Sequence, residues 1–497
     1  MIKKYSVIII LLSLVVMQTL LRVPFLNEPL ERDEGCYGYI AQRIIAGEVP
    51  YRDVFDHKPP AIYFVYAGII KTFGPSVIAI RDFTLLYSII TMLAMFILGQ
   101  LLWGTKAGLL TAFFFALFSH GPFIQGSNAN TEVFMILPMV LALIFYLKAE
   151  SNKKPWWFFA AGVFSGLAIL FKQVAALNFL VLLVFVALEG LGSLTFLVLG
   201  ALLFPLVTLS YFAFNHALIE FFNCVIVANI NYINNSPTKG FLVNPLYGLG
   251  IMLRTFIYEN GILYLLSSAA LVIILIKDWQ RKNILIFLWA IASFGGVALG
   301  RFFFPHYFVQ GLPALVMLSA YGLLKLINSS LIRNLRFVVC FMLVLGFVLF
   351  SALKVQMQFY TANPQKVSEI KYAGEADFYL SQKIAMELKA ELKPKETVFA
   401  WPANPEIYFY LGQKSPIYYP VVLGWLGKNN LNKIIDEIKL QKPTYVVWDS
   451  STEAFYPPMV DFILTKYYFY REYKNKSKSK VNFVVFKVKP AAGKSNH

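Results

Sequence analysis

The 497-residue chain is 58% hydrophobic and only 14% charged, with a mean hydropathy of +0.62. Soluble domains are about half apolar and about a quarter charged, so this composition belongs to a membrane protein. The net charge of +17 is spread over short loops and a C-terminal third, with no basic patch interleaved with aromatics, which excludes a nucleic-acid partner. Three separated cysteines (Cys36, Cys224, Cys340) show no CxxC or Cys/His ligand spacing, excluding a disulfide framework and a structural zinc site.

Lys3-Lys4 precedes an apolar run from Tyr5 to Leu21. No small-x-small cleavage site follows, so the run reads as an uncleaved first membrane helix. A span needs about 20 mostly apolar residues. The requirement is met near 5–25, 81–102, 107–121, 131–148, 156–172, 174–190, 193–213, 258–276, 284–300, 305–326 and 335–353, the third and fifth being short. About eleven spans are therefore expected. Lys and Arg in short loops set the orientation: Lys106, Lys148/Lys153/Lys154, Lys277/Arg281/Lys282 and Lys325/Arg333/Arg336 fall on the side of the N-terminus, in the cytoplasm. Residues 22–80, 121–130, 172–174, 214–257, 300–305 and the C-terminal part then lie outside.

Residues 354–497 change character. Short apolar stretches at 397–401, 444–448 and 482–486 alternate with helix-like segments at Asn430–Leu440 and Met459–Tyr470. The expected fold is an α-helical polytopic membrane domain (1–353) followed by a small extracytoplasmic α/β domain (354–497). The latter lacks a glycine-rich phosphate loop after a strand.

The first outer loop, 22–82, carries seven basic and eight acidic residues, whereas residues 83–147 carry only Lys106 and Glu132. Such density beside a bilayer demands solvation or pairing, and ionisable groups at membrane depth are functional candidates. Glu31-Arg32-Asp33-Glu34-Gly35 precedes Cys36–Ala46, which has the pattern of an amphipathic interfacial helix. Asp56-His57-Lys58-Pro59-Pro60 follows, and its prolines bend the chain into a new helix that would fix Lys58. An acidic pair with a fixed lysine suits transfer from a phosphate leaving group. A carboxylate takes the acceptor's proton and cations stabilise the departing phosphate. A solvated loop with mutually paired charges accounts for the pattern equally well.

These two motifs, together with Gly300-Arg301-Phe302-Phe303-Phe304-Pro305-His306-Tyr307-Phe308, resemble the GT-C membrane glycosyltransferases. The resemblance is to bacterial relatives of dolichyl-phosphate-mannose protein mannosyltransferases, a group that includes the lipid A aminoarabinose transferase. It implies a sugar donor on a polyprenyl phosphate, used on the periplasmic or extracellular face of the cytoplasmic (inner) membrane, with a lipid, glycan or protein as acceptor. Asp33 takes the position of the catalytic acid residue with Glu34 beside it, and Lys58 that of a phosphate contact. The aminoarabinose transferase has Glu before Lys-Pro-Pro; here His57 stands there, and the role passes to Asp56 or is absent.

Arg301 suits bidentate phosphate contact, although an interfacial arginine also snorkels. His306 and Tyr307 share its turn. Glu132 reads as favouring a helix start capped by Asn130 or Thr131, or as a substrate contact. Lys172, at an outer link against the positive-inside trend, is a third phosphate candidate. The loop 214–257, with Asn229, Asn231, Asn234, Asn235 and Arg254, reads as a flap over the donor. Asp33, Glu34 and His306 are the residues that would hold a divalent cation. The alternatives to a transferase are a flippase or transporter, which usually shows internal repeats and midplane charges, and a polymerase or ligase built around a large late outer loop.

Overall fold

The structure is a computed structural model describing residues 4–236, 250, 259–329, 335–372, 377–450, 456–474 and 482–490. All eleven expected apolar segments are helical. Among the described residues, six helices of 19 to 27 residues are each long and apolar enough to cross a bilayer. Leu191–Phe214 shows why: Leu199, Leu203, Leu206 and Val207 point outward, where a soluble helix would carry polar groups. The chain is a multi-pass membrane protein.

Two apolar helices were not among the expected spans. Ala61–Phe73 has 13 residues, too few to cross by itself. The other runs Leu218–Phe222, a π-helical turn Asn223–Val227, then Ala228–Asn234. It replaces part of the expected flap; residues 237–249 and 251–258, with Arg254, lie outside the described residues.

The helix Pro155–Phe171 has Lys153-Lys154 at one end and Lys172 at the other. At the first end Arg281 pairs with Glu150 (3.1 Å) and Glu189 (2.6 Å), and Lys325 with Asp278 (2.8 Å). The loops expected in the cytoplasm thus gather at one end of the bundle, and Asp33, Lys58 and Lys172 at the opposite one.

The helix Leu335–Tyr360, over the expected eleventh span, runs past the boundary expected at 353. A short helix, Pro364–Lys371, then inserts the Lys371 ammonium into a fully buried pocket, 2.7 Å from Glu28 and 3.1 Å from Ser127 Oγ. Beyond it lies a four-stranded sheet: β1 Val398–Trp401, β2 Tyr445–Asp449, β3 Tyr467–Lys474 and β4 Asn482–Val488. The order is β1-β2-β4-β3, with β1 and β2 parallel and the other pairs antiparallel. Of the expected helix Met459–Tyr470, only Pro457–Lys466 is helical. Met459 and Ile463 bury a helical face, but the aromatic run from Tyr467 onward favours the pleated surface of β3.

The helix expected to lie at the membrane interface from Cys36 runs instead from Arg32 to Ile45 and is covered by protein. Its glycines explain the cover. Gly35 abuts the backbone of Glu406, and Gly38 abuts the ring of Phe409, both from the helix Glu406–Leu411 of the C-terminal domain. A Cβ at Gly35 would lie 2.3 Å from that of Glu406, too close without movement of the main chain. Gly35→Ala is therefore expected to cost about 1–3 kcal/mol through overpacking and to lower the thermal unfolding temperature. Gly68→Ala, inside the helix Ala61–Phe73 where a Cβ meets open space, does not lower that temperature.

Candidate active site

The helix Arg32–Ile45 starts with a capping box made of two glutamates. Glu31 accepts from Asp33 N, and Glu34 accepts from Glu31 N, each at 3.1 Å. This start turns two adjacent carboxylates in different directions. Glu34 points inward and is fully buried, held by Arg81, which donates from both guanidinium nitrogens, one at 2.8 Å, and by Ala129 N at 2.5 Å. Asp33, whose side chain keeps 29% exposure, points outward. Its Oδ2 lies 3.7 Å from Lys58 Nζ and 3.8 Å from His306 Nε2, ion-pair separations longer than hydrogen bonds. Glu34, expected to stand with Asp33 in catalysis, has its oxygens engaged by Arg81 and by the backbone N–H groups of Glu31 and Ala129.

Lys58 is held by its own main chain. Its carbonyl accepts from Tyr51 (2.6 Å) and Tyr63 (3.3 Å), and Asn229 Nδ2 grips the carbonyl of His57 at 2.6 Å. Pro60 then caps the helix Ala61–Phe73, as the two prolines implied. Burial alone would pull the Lys58 ammonium down, but Asp33 foremost, with Glu132 and Asp56, more than offsets this and raises it above the ordinary lysine value. Asp56 does not face Asp33. It accepts from His57 N (2.6 Å), Tyr63 Oη (2.8 Å) and Cys36 Sγ (3.7 Å), with His57 Nδ1 at 3.2 Å. Burial pushes this carboxyl up, but the bonds and charge of His57 prevail and hold it below its usual value.

The third side comes from later helices. Lys172, in the link after Phe171, pairs with Glu132 and lies over the ring of Tyr307, 3.4 Å from its centroid. Tyr307 Oη in turn meets Tyr232 Oη at 2.8 Å. Glu132 has no cap hydrogen bond from Asn130 beside it; Thr131 Oγ1 donates to it at 2.9 Å, and the Lys172 pair is its main contact. His306 Nδ1 lies 3.1 Å from Gln125 Oε1. Arg301 sits one residue past Gly300 in a turn where it and Phe303 adopt left-handed backbone (φ 57° and 51°), an uncommon conformation for side chains of their size. Cys36 and Cys224 are buried and free, as expected of small core residues.

Between these groups lies a cavity of about 280 Å³, lined by His57, Lys58, Lys172, Asn229, Tyr232 and Tyr307, with apolar Val225, Ile226, Ile230 and Leu299 completing it. Ile226 and Ile230 are half-exposed on the outer surface of the bundle. The cavity therefore joins cations to a greasy flank, which fits a lipid carrying an anionic head. Tyr232 escaped sequence reasoning, and Asn229 was read only as part of a flap: in Asn229-Ile230-Asn231-Tyr232 nothing but the fold brings them to Lys58.

A family model described as dolichyl-phosphate-mannose-protein mannosyltransferase matches residues 57–217. Among solved structures, ArnT from Cupriavidus metallidurans bound to undecaprenyl phosphate is 17% identical, covers 97% of both chains and superposes with a TM-score of 0.64. The chain has the GT-C glycosyltransferase fold. The Archaeoglobus fulgidus oligosaccharyltransferase in complex with zinc and sulfate is 16% identical, with 95% of this chain and 72% of that one covered and a TM-score of 0.59. The same archaeal enzyme, AglB, with an inhibitory peptide and a dolichol-phosphate gives 14% identity, 97% and 74% coverage and a TM-score of 0.56. Among curated proteins, none matches this chain in sequence.

The divalent-cation expectation rests on Asp33, Glu34 and His306. Asp33 and His306 meet, but Glu34 is engaged elsewhere, Asp33 already faces the Lys58 cation, and no group of three or more His, Cys, Asp or Glu side chains among the described residues is placed to hold a metal. No step is assigned to one. Breaking a buried ion pair costs about 3–5 kcal/mol. Glu34→Gln is thus expected to lower thermal stability markedly, whereas Asp33→Asn leaves the unfolding temperature near that of the wild type; melting both variants in detergent separates the two roles.

Proposed function

We propose that this protein transfers a hexosyl or pentosyl group from a polyprenyl-phosphate donor to a lipid, glycan or protein acceptor on the outer face of the cytoplasmic membrane, with inversion. The observation that carries this reading is Asp33, partly exposed and set between His306 and Lys58, with Lys58 in turn lining a cavity beside Lys172, two tyrosines and aliphatic side chains. The proposed donor is of the same kind as the undecaprenyl phosphate and dolichol-phosphate of the neighbouring structures.

In this mechanism Asp33 takes the proton of the acceptor hydroxyl as its oxygen attacks the anomeric carbon. The bond from that carbon to the donor phosphate breaks, and the phosphate leaves on its lipid. Lys58 and Lys172 stabilise the charge on the leaving group, with Arg301 in the adjoining turn as a further cation. The side chains are already oriented, so they add little reorganisation cost. A flippase is less well supported: among the described residues, the ionisable groups of the cavity collect at one end of the bundle, whereas transporters bind near the midplane.

Asp33→Asn is expected to reduce transfer from a labelled polyprenyl-phosphate sugar by at least about a thousandfold, on the order of a lost general base plus misplaced acceptor, while membrane insertion is retained. Undiminished transfer by that variant sinks the assignment. Movement of the intact donor across vesicles by the purified wild type, without its consumption, favours the flippase.

A further inference from the structure

The C-terminal domain reaches the donor cavity through one segment, Ser415–Leu426. Its anchors are specific. Phe55 N donates to Tyr418 O at 3.0 Å, Tyr418 Oη donates to the carbonyl of Tyr51, and Phe55 packs on Tyr419 with ring centroids 4.8 Å apart. These contacts fix both ends of the turn that leads into Lys58. At the end of the segment the Trp425 indole stands edge-on to His57 (5.1 Å) and to Tyr232 (5.6 Å), and His57 and Tyr232 lie 5.1 Å from each other. Two of these three rings line the cavity; Trp425 lies behind them.

We infer that Trp425 is a positioning residue for the donor: it holds His57 and Tyr232 as the aromatic wall against which the lipid phosphate is bound, so the C-terminal domain is part of the donor site. This rests on the donor reading given above. The indole N–H is buried and has no acceptor among the described residues, so shape and ring contact hold the side chain rather than a hydrogen bond. Edge-to-face pairs contribute about 0.5–1.5 kcal/mol each beyond area burial, and Trp425 makes two that converge on one wall. Without it the two rings lose their common backstop while Asp33, on the far side of Lys58, keeps its neighbours. The consequence falls on donor binding, not on chemistry.

The test uses the full-length protein in detergent with undecaprenyl phosphate as the probe. The lipid is expected to raise the wild-type unfolding temperature. Trp425→Ala is expected to unfold, without lipid, within a few degrees of the wild type and to lose most of the lipid-induced rise, and Trp425→Phe, which restores a ring, to recover most of it. In transfer assays Trp425→Ala raises the donor KM about tenfold, equivalent to about 1.4 kcal/mol, with kcat changed less than twofold. A lipid response in Trp425→Ala equal to that of the wild type overturns the inference, as does a loss confined to kcat. If Trp425→Ala unfolds early, Trp425→Phe decides alone: a lipid response as weak as that of a His57→Ala, Tyr232→Ala double variant overturns the role of the ring. Absence of any lipid response in the wild type refutes the donor-site reading itself, and this inference with it.

Discussion

A carboxylate sealed against a membrane bundle must find cations and donors, and the Glu34–Arg81 pair meets that demand at the base of the first outer loop. Burying two charges is expensive, and the attraction between them compensates only when the geometry is good and the remaining lone pairs are filled. Here the backbone N–H groups of Glu31 and Ala129 fill them. The pair ties the helix Arg32–Ile45 to Val77–Trp103 and to the 119–130 loop. Asp33 owes its position to this anchoring: one residue away on the same turn, it is left with one face open and two cationic or titratable neighbours on the other.

The same logic recurs around the site, at different depths. Lys371 is locked to Glu28 in the interior, and Lys172 to Glu132 beside the cavity. Glu34 has both carboxylate oxygens engaged by Arg81 and backbone donors. Asp33 and Lys58, which lines the cavity, are separated by 3.7 Å, longer than a hydrogen bond, and retain capacity for another ligand. The excess of charge in residues 22–82 thus divides into bracing and working groups, a division that net composition does not reveal.

Hydrophobic length made the membrane helices legible, since a bilayer imposes one physical test on every span. Lys58 was legible for a similar reason: two prolines restrict the backbone locally, and the helix begins where they dictate. Glu34 was not, because adjacent acidic residues look alike until a cap sets the helix phase, and glutamate is an uncommon N-cap. The helix start at Arg32 could have been read from Glu31-x-x-Glu34, had the first glutamate been given the role usually filled by Ser or Thr. Tyr232, Asn229 and Trp425 come from segments about 170 to 370 residues beyond Lys58 in the chain, and no local periodicity records such convergence. In the C-terminal domain, the strand Tyr467–Lys474 was hidden because a helical face at Met459 and Ile463 runs directly into it.

The segment Ser415–Leu426 gives the order of synthesis a physical meaning. The groups of the first outer loop are made well before the surfaces that hold Tyr51, Phe55 and His57. A nascent chain with its bundle inserted would possess the reactive side chains but not their final arrangement. That arrangement requires the distal segment to fold back onto Tyr51, Phe55 and His57, so the order of the site depends on a contact between two widely separated parts of the chain.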